Sequence, residues 1–147
     1  MLQPSRKRAS YACDACSFKL WLPIAQLRVS SLGLYDDARF PGRCLLVFHR
    51  HEEDFSSLAP NDVVDFMADL QLASRAIASV TKPARMNYAL LGNQEPHVHF
   101  HLIPRPITDP VPDRTPWHHP EPRRDLDPAV RDALINEIAE RLSHRSS

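Results

Sequence analysis

Glycine is scarce in this chain, with 3 among 147 residues, and cysteine is equally scarce. So little glycine excludes a collagen repeat, and an odd, small number of cysteines does not make a disulfide scaffold. Long apolar runs are missing as well. The longest, Cys44-Leu45-Leu46-Val47-Phe48, falls far short of the roughly 18 residues needed to cross a bilayer. Charge of one sign is missing too: 18 Lys and Arg face 18 Asp and Glu. That balance exerts no general pull on nucleic acid or an acidic membrane surface, so neither is an expected partner. Arg6-Lys7-Arg8 opens the chain with no apolar stretch behind it. The expectation is therefore no signal peptide and a cytoplasmic location.

What the chain does hold is proline, 14 residues, and histidine, 8 residues, on a hydrophobic share of 43% that suffices for one core. Residues 1–12 are polar and basic and read as a disordered N-terminal tail, and 13–147 as a single domain. Alternation predicts a strand near 27–35. Phe40-Pro41-Gly42 is turn chemistry, and a second strand over 43–49 completes a hairpin. Pro60 at a helix start, with Asp62 in the first turn, opens a stripe of Val63, Phe66, Met67, Leu70, Ala73, Ile77 and Val80 that Pro83 stops. Strands are expected at 85–91 and 97–103. From Pro104 to Pro122 lie 7 of the 14 prolines, so 104–122 reads as an extended arm. Asp127-Pro128 is a cap and first-turn pair for a C-terminal helix carrying Val130, Leu134, Ile135, Ile138 and Leu142. The sum is α+β: an antiparallel sheet with two helices segregated on it.

The chemistry concentrates in His97-Val98-His99-Phe100-His101-Leu102-Ile103. On a strand, the three imidazoles share one face while Val98, Phe100 and Leu102 enter the core. Three such rings in register are a poor packing solution, because every ring nitrogen needs a partner. Two chemistries want them: zinc ligation, and attack of a neutral imidazole at phosphorus with donors around the phosphate. Gly92-Asn93-Gln94 before the strand and the Arg105 fork after it favour the second. Near the front, Cys13 and Cys16 are spaced C-x-x-C, a metal clip or a redox pair. Cys44 reads as a small buried hydrophobe.

His97 to Ile103 matches the His-x-His-x-His signature with two apolar residues after it, and the chain here resembles the histidine-triad (HIT) superfamily. The likeness extends to Phe40-Pro41-Gly42-Arg43, Leu58 with its following helix, Asn87, Gly92-Asn93 and an arm ending at Trp117. The resemblance implies a homodimer built on an antiparallel half-barrel, acting as a nucleotidyl hydrolase or transferase on a nucleoside phosphoryl bond. His99 would attack the α-phosphorus, His101 would contact the phosphoryl oxygens, and His97 would complete the triad. Asn87, Gly92, Asn93, Gln94 and Arg105 would hold the nucleotide. Arg43 stands where many relatives carry histidine, and Asn93-Gln94 where many carry Gln followed by Ser or Thr.

The resemblance also bears on the cysteines. Some bacterial relatives supply metal ligands from the place of His51 and from the first triad histidine, which implies a structural zinc on Cys13, Cys16, His51 and His97. By spacing alone His49 competes with His51, since both lie on one side of an extended chain. Two other functions stay open: a nucleotide-binding protein without turnover, and a hydrolase with a catalytic zinc among His97, His99 and His101.

Overall fold

The computed structural model describes residues 10–144. Five strands, β1 (Pro23–Gln26), β2 (Ser30–Leu34), β3 (Cys44–Phe48), β4 (Arg85–Ala89) and β5 (His99–Arg105), form one open sheet in the order β1-β2-β3-β5-β4. Every neighbouring pair is antiparallel. Helix α1 (Pro60–Thr81) and helix α2 (Pro128–Ser143) pack on one face. The architecture is the expected α+β open sheet with two helices.

The helix-side core follows the periodicities. Leu32, Leu46, Phe48 and Leu102 from the sheet meet Phe66, Ala73 and Ile77 of α1, and Leu134, Ile135, Ile138 and Leu142 of α2 close over them. Val130 is the exception to its predicted stripe and is exposed. Asp127 caps α2 as its sequence predicts, its carboxylate accepting from Ala129 N at 2.9 Å. Gly42 turns the chain into β3 with φ +96°, and a Cβ there would strike the Thr81 methyl at the end of α1.

Several boundaries differ from expectation, the strand expected at 85–91 among them, which stops at Ala89. The strand expected at 27–35 is a hairpin of β1 and β2, with β1 unforeseen. Its turn is held by the buried Asp69 of α1, which accepts from Arg28 N, Val29 N and Ser30 Oγ at 3.2, 2.9 and 2.7 Å. β5 starts at His99 rather than at residue 97, because Val98 N turns to the Glu52 carbonyl at 2.7 Å while its own carbonyl still accepts from Phe48 N. β5 then continues through Pro104 and Arg105, the expected start of the arm. Pairing to β3 has ended at Leu102, so the missing proline N–H removes no ladder bond there.

The sheet's other face is covered by the front of the chain. Phe18 and Leu20 form a second core with Val47, joined by Tyr11, Cys13, Cys16 and Leu45. Of the expected tail, residues 1–9 lie outside the described residues, whereas Tyr11 and Ala12 are built into the fold. Ala12 bridges to Lys19, and the Tyr11 hydroxyl donates to the His49 carbonyl at 2.8 Å. Among the described residues no helix is long and apolar enough to cross a membrane.

Candidate functional site

β5 puts His99 and His101 on the sheet face away from the helices, opposite Val47 and Leu45 of β3. His99 Nδ1 lies 2.6 Å from the His97 carbonyl. A carbonyl only accepts, so Nδ1 carries the proton and the lone pair is on Nε2. His101 is set the opposite way. Arg43 Nη2 donates to its Nδ1 at 3.1 Å, which leaves the N–H on Nε2. Burial, then the Arg43 charge, then His99 push the His101 pKa down to about 4, so its ring is neutral at physiological pH. Behind it, Arg43 Nη1 donates to the fully buried Asp37 at 3.0 Å, and Arg39 takes both oxygens of the same carboxylate at 2.9 Å.

His97 serves a different neighbourhood. Its Nε2–H donates to the Phe48 carbonyl at 2.6 Å, which frees Nδ1 to face Cys16 Sγ at 3.4 Å. Beside it, His51 Nδ1 faces Cys13 Sγ at 3.6 Å, and the four ligand atoms of Cys13, Cys16, His51 and His97 lie within 4.8 Å of one another. Zn–S near 2.3 Å and Zn–N near 2.05 Å at a tetrahedral centre require S···N separations of about 3.6 Å. The two facing pairs, at 3.4 and 3.6 Å, match that separation, and the His51 Nε2 edge lies 3.6 Å from Glu53. His49 takes no part: its Nε2 bonds Ser31 Oγ at 2.9 Å. Cys44 is fully buried in the helix-side core.

Ser17, in the left-handed region at φ 65°, ends the cysteine turn and throws Phe18 across the histidines. The Phe18 ring centroid is 4.9 Å from that of His99 and 5.5 Å from that of His97. His99 is consequently only 5% exposed, not on an open face as strand alternation alone implies.

His99 and His101 line a cavity of about 890 Å³, together with Arg43, Gly92, Asn93, Gln94, Trp21 and Trp117. Gly92, Asn93 and Gln94 are thus brought to the site as the sequence suggested. Arg105 and Asn87 are not. The Arg105 guanidinium is 3% exposed and faces the arm: it pairs with Asp109 and donates to the carbonyls of Arg114 and Val111 at 2.7 and 2.8 Å and to Asn87 Oδ1 at 2.8 Å. Proline leaves the arm few backbone N–H groups, which close only short turns such as Asp109 N to the Pro106 carbonyl and Arg114 N to the Val111 carbonyl, and Arg105 supplies the donors that draw these turns together. Sequence reasoning missed Asp37 and Phe18 altogether and saw Arg43 only as a departure. The available signal was the Asp37, Arg39, Arg43 spacing around the Pro-Gly turn.

Fold and site together define an α+β protein with a pair of tautomer-fixed histidines at one large cavity. The chain belongs to the histidine-triad family, since the HIT domain model matches residues 26–107. Among solved structures it is similar to a histidine triad protein from Bradyrhizobium japonicum, 26% identical with a TM-score of 0.76 over 82% of this chain and 90% of that one. A diadenosine triphosphate hydrolase from Plasmodium falciparum shares the fold at 15% identity, TM-score 0.67, over 96% of this chain and 90% of that one. So does a Zn-bound histidine triad family protein from Mycobacterium smegmatis, at 20% identity, TM-score 0.59, over 83% and 84%. No curated protein matches the sequence.

The placement of Arg105 is testable. Arg105→Met leaves Asp109 buried and unpaired, and urea unfolding should show a loss of about 3–5 kcal/mol. A phosphate-binding arginine would instead leave stability intact and raise KM.

Proposed function

We propose that this protein is an enzyme that cleaves a nucleoside α-phosphoryl bond, in a dinucleoside polyphosphate, a nucleoside phosphoramidate or a similar compound, through a covalent nucleotidyl-His99 intermediate. The observation that carries this reading is the 2.6 Å contact of His99 Nδ1 with the His97 carbonyl, which commits the Nε2 lone pair to the cavity. That lone pair forms the N–P bond as the bond from phosphorus to the leaving group breaks, to oxygen in a polyphosphate or to nitrogen in a phosphoramidate, whose amine takes one proton from solvent as it leaves. A polyphosphate leaving group departs with the electron pair as an anion and needs no proton. Water then attacks phosphorus, the N–P bond returns its pair to Nε2, and one water proton passes to solvent. His101 Nε2–H and the Gly92-Asn93-Gln94 segment hold phosphoryl oxygens and ribose. A diadenosine triphosphate hydrolase among the structures of like fold supports the substrate class. A catalytic zinc on the triad is disfavoured, since His97 turns its free nitrogen to Cys16 and away from His99 and His101.

Zinc has a place of its own in this reading. Cys13, Cys16, His51 and His97 would hold one structural Zn²⁺, which closes a tetrahedral S₂N₂ set and ties the front of the chain to β5. The Zn-bound relative from M. smegmatis supports the metal's identity. Unoxidised cysteines as ligands suit a reducing compartment, in keeping with the cytoplasm. A homodimer accounts for the sheet edge at β4, where Tyr88 and, just past the strand, Leu90 and Leu91 are exposed.

His99→Ala should remain folded by circular dichroism and lose at least two orders of magnitude in turnover of diadenosine tetraphosphate or a nucleoside phosphoramidate. Near wild-type turnover, or a nucleotidyl adduct trapped on another residue, would sink the mechanism. Nucleotide binding without turnover in the wild type would instead select a binding protein. Elemental analysis should find about one zinc per chain, lost in Cys13→Ser and His51→Ala and kept in His49→Ala. A metal-free wild type would end that assignment. Light scattering should give twice the 16.8 kDa chain mass at tens of micromolar, and a single chain mass would refute the dimer.

A further inference from the structure

Transfer to His99 explains why one imidazole must keep a free lone pair, yet it gives no task to the buried charges behind its neighbour. Asp37 is fully buried and serves two guanidiniums, those of Arg39 and Arg43, so the group carries one positive charge in excess. Arg39 alone would neutralise Asp37. Arg43 is the surplus cation, and it is 6% exposed. Its guanidinium lies 4.0 Å from the centroid of the Tyr35 ring, and among the described residues its Nε has no hydrogen-bond partner. Desolvating a cation this far is costly where a donor goes unmet, as its Nε–H does. What it touches at the cavity is His101 Nδ1, at 3.1 Å.

We propose that Arg43 is a positioning residue that locks His101 as its Nε2–H tautomer, so that the ring beside the nucleophile always presents a donor to an anionic oxygen in the cavity. Arginine has five donors, no acceptor and no accessible neutral state, so any ring nitrogen facing it must accept. A histidine at position 43 would lack that constraint, because a neutral imidazole can donate or accept. Asp37 aims the fork, and the excess positive charge behind the ring polarises the Nε2–H bond towards the cavity. The rings of His99 and His101 are 5.2 Å apart. The cavity wall therefore offers one fixed lone pair and one fixed N–H side by side, a set complementary to an electrophilic centre bearing an anionic oxygen. The identity of that centre as phosphorus rests on the function proposed above. The tautomer does not.

The test separates the two. In protein labelled with ¹⁵N at imidazole nitrogens, long-range ¹H–¹⁵N correlation at a pH where the rings are neutral should show His101 only as the Nε2–H form. In Arg43→Met, which leaves Asp37 still paired to Arg39, both tautomers should appear, and in Arg43→Lys, again a donor-only partner, the single form should return. Should Arg43→Met not fold, Arg43→Gln supplies the same readout, because its amide can donate or accept. With a dinucleoside polyphosphate as probe, Arg43→Met should lose about tenfold or more in kcat, with KM within about threefold, and Arg43→Lys should recover most of it. These effects lie below the 10²–10³ loss for outright deletion of an oxyanion donor, since the His101 ring remains. A single Nε2–H tautomer in Arg43→Met or Arg43→Gln would overturn the proposal, as would a raised KM with unchanged kcat. The tautomer result stands for or against Arg43 whichever way the adduct experiment on His99 falls.

Discussion

Two main-chain carbonyls decide what the triad can do. The Phe48 carbonyl takes the Nε2–H of His97, and the His97 carbonyl takes the Nδ1–H of His99. Since a carbonyl cannot donate, each contact dictates a tautomer and therefore the direction of a lone pair. The two lone pairs end up in different compartments, one among the thiols and one at the cavity. Three histidines that look equivalent in the sequence thus differ in what they present, His97 a lone pair to the thiols, His99 a lone pair to the cavity and His101 an N–H, and no side-chain acid is needed to separate them.

The surroundings reinforce that division from both sides of the sheet. The helices bury the face carrying Leu46, Phe48 and Leu102 and so hold β3 and β5 rigid beneath the rings. On the opposite face, the front of the chain lays Phe18 over His97 and His99, while Asp37 and Arg43 rise behind His101. Farther along β5, Arg105 gathers the proline arm through Val111 and Arg114 and brings Trp117 within 6.3 Å of the His101 ring. The polar contacts among them use groups that cannot change their character. Guanidinium and backbone carbonyl have one role each, and imidazole, which has two, is always the one being told.

Much of this was legible from pattern. The stripes of α1 and, but for Val130, α2, the Pro-Gly turn before β3 and the strand carrying His99 and His101 all follow from local periodicity and turn chemistry. Cys13, Cys16, His51 and His97 came together as the family resemblance implied. What escaped was long-range. β1 is four residues long, and its turn depends on Asp69, about forty residues downstream. Arg105 reads as a phosphate fork next to a histidine strand, and only the folded arm shows that carbonyls and Asp109 already occupy its donors. Phe18 has no periodic partner in its own segment, so nothing local announces that it covers His99.

The thiol cluster has a consequence in the order of synthesis. Cys16 meets His97 across a separation of 81 residues, and Cys13 meets His51 across 38. Translation at roughly 5–20 residues per second leaves an interval of about 4–16 s between Cys16 and the histidine that faces it. Throughout that interval both thiols travel on a nascent chain that lacks His97 and β5. The pair that faces His51 and His97 in the finished protein thus spends that interval with its partners incomplete, and the surrounding redox chemistry, not the fold, sets the state of the thiols until the last triad strand arrives.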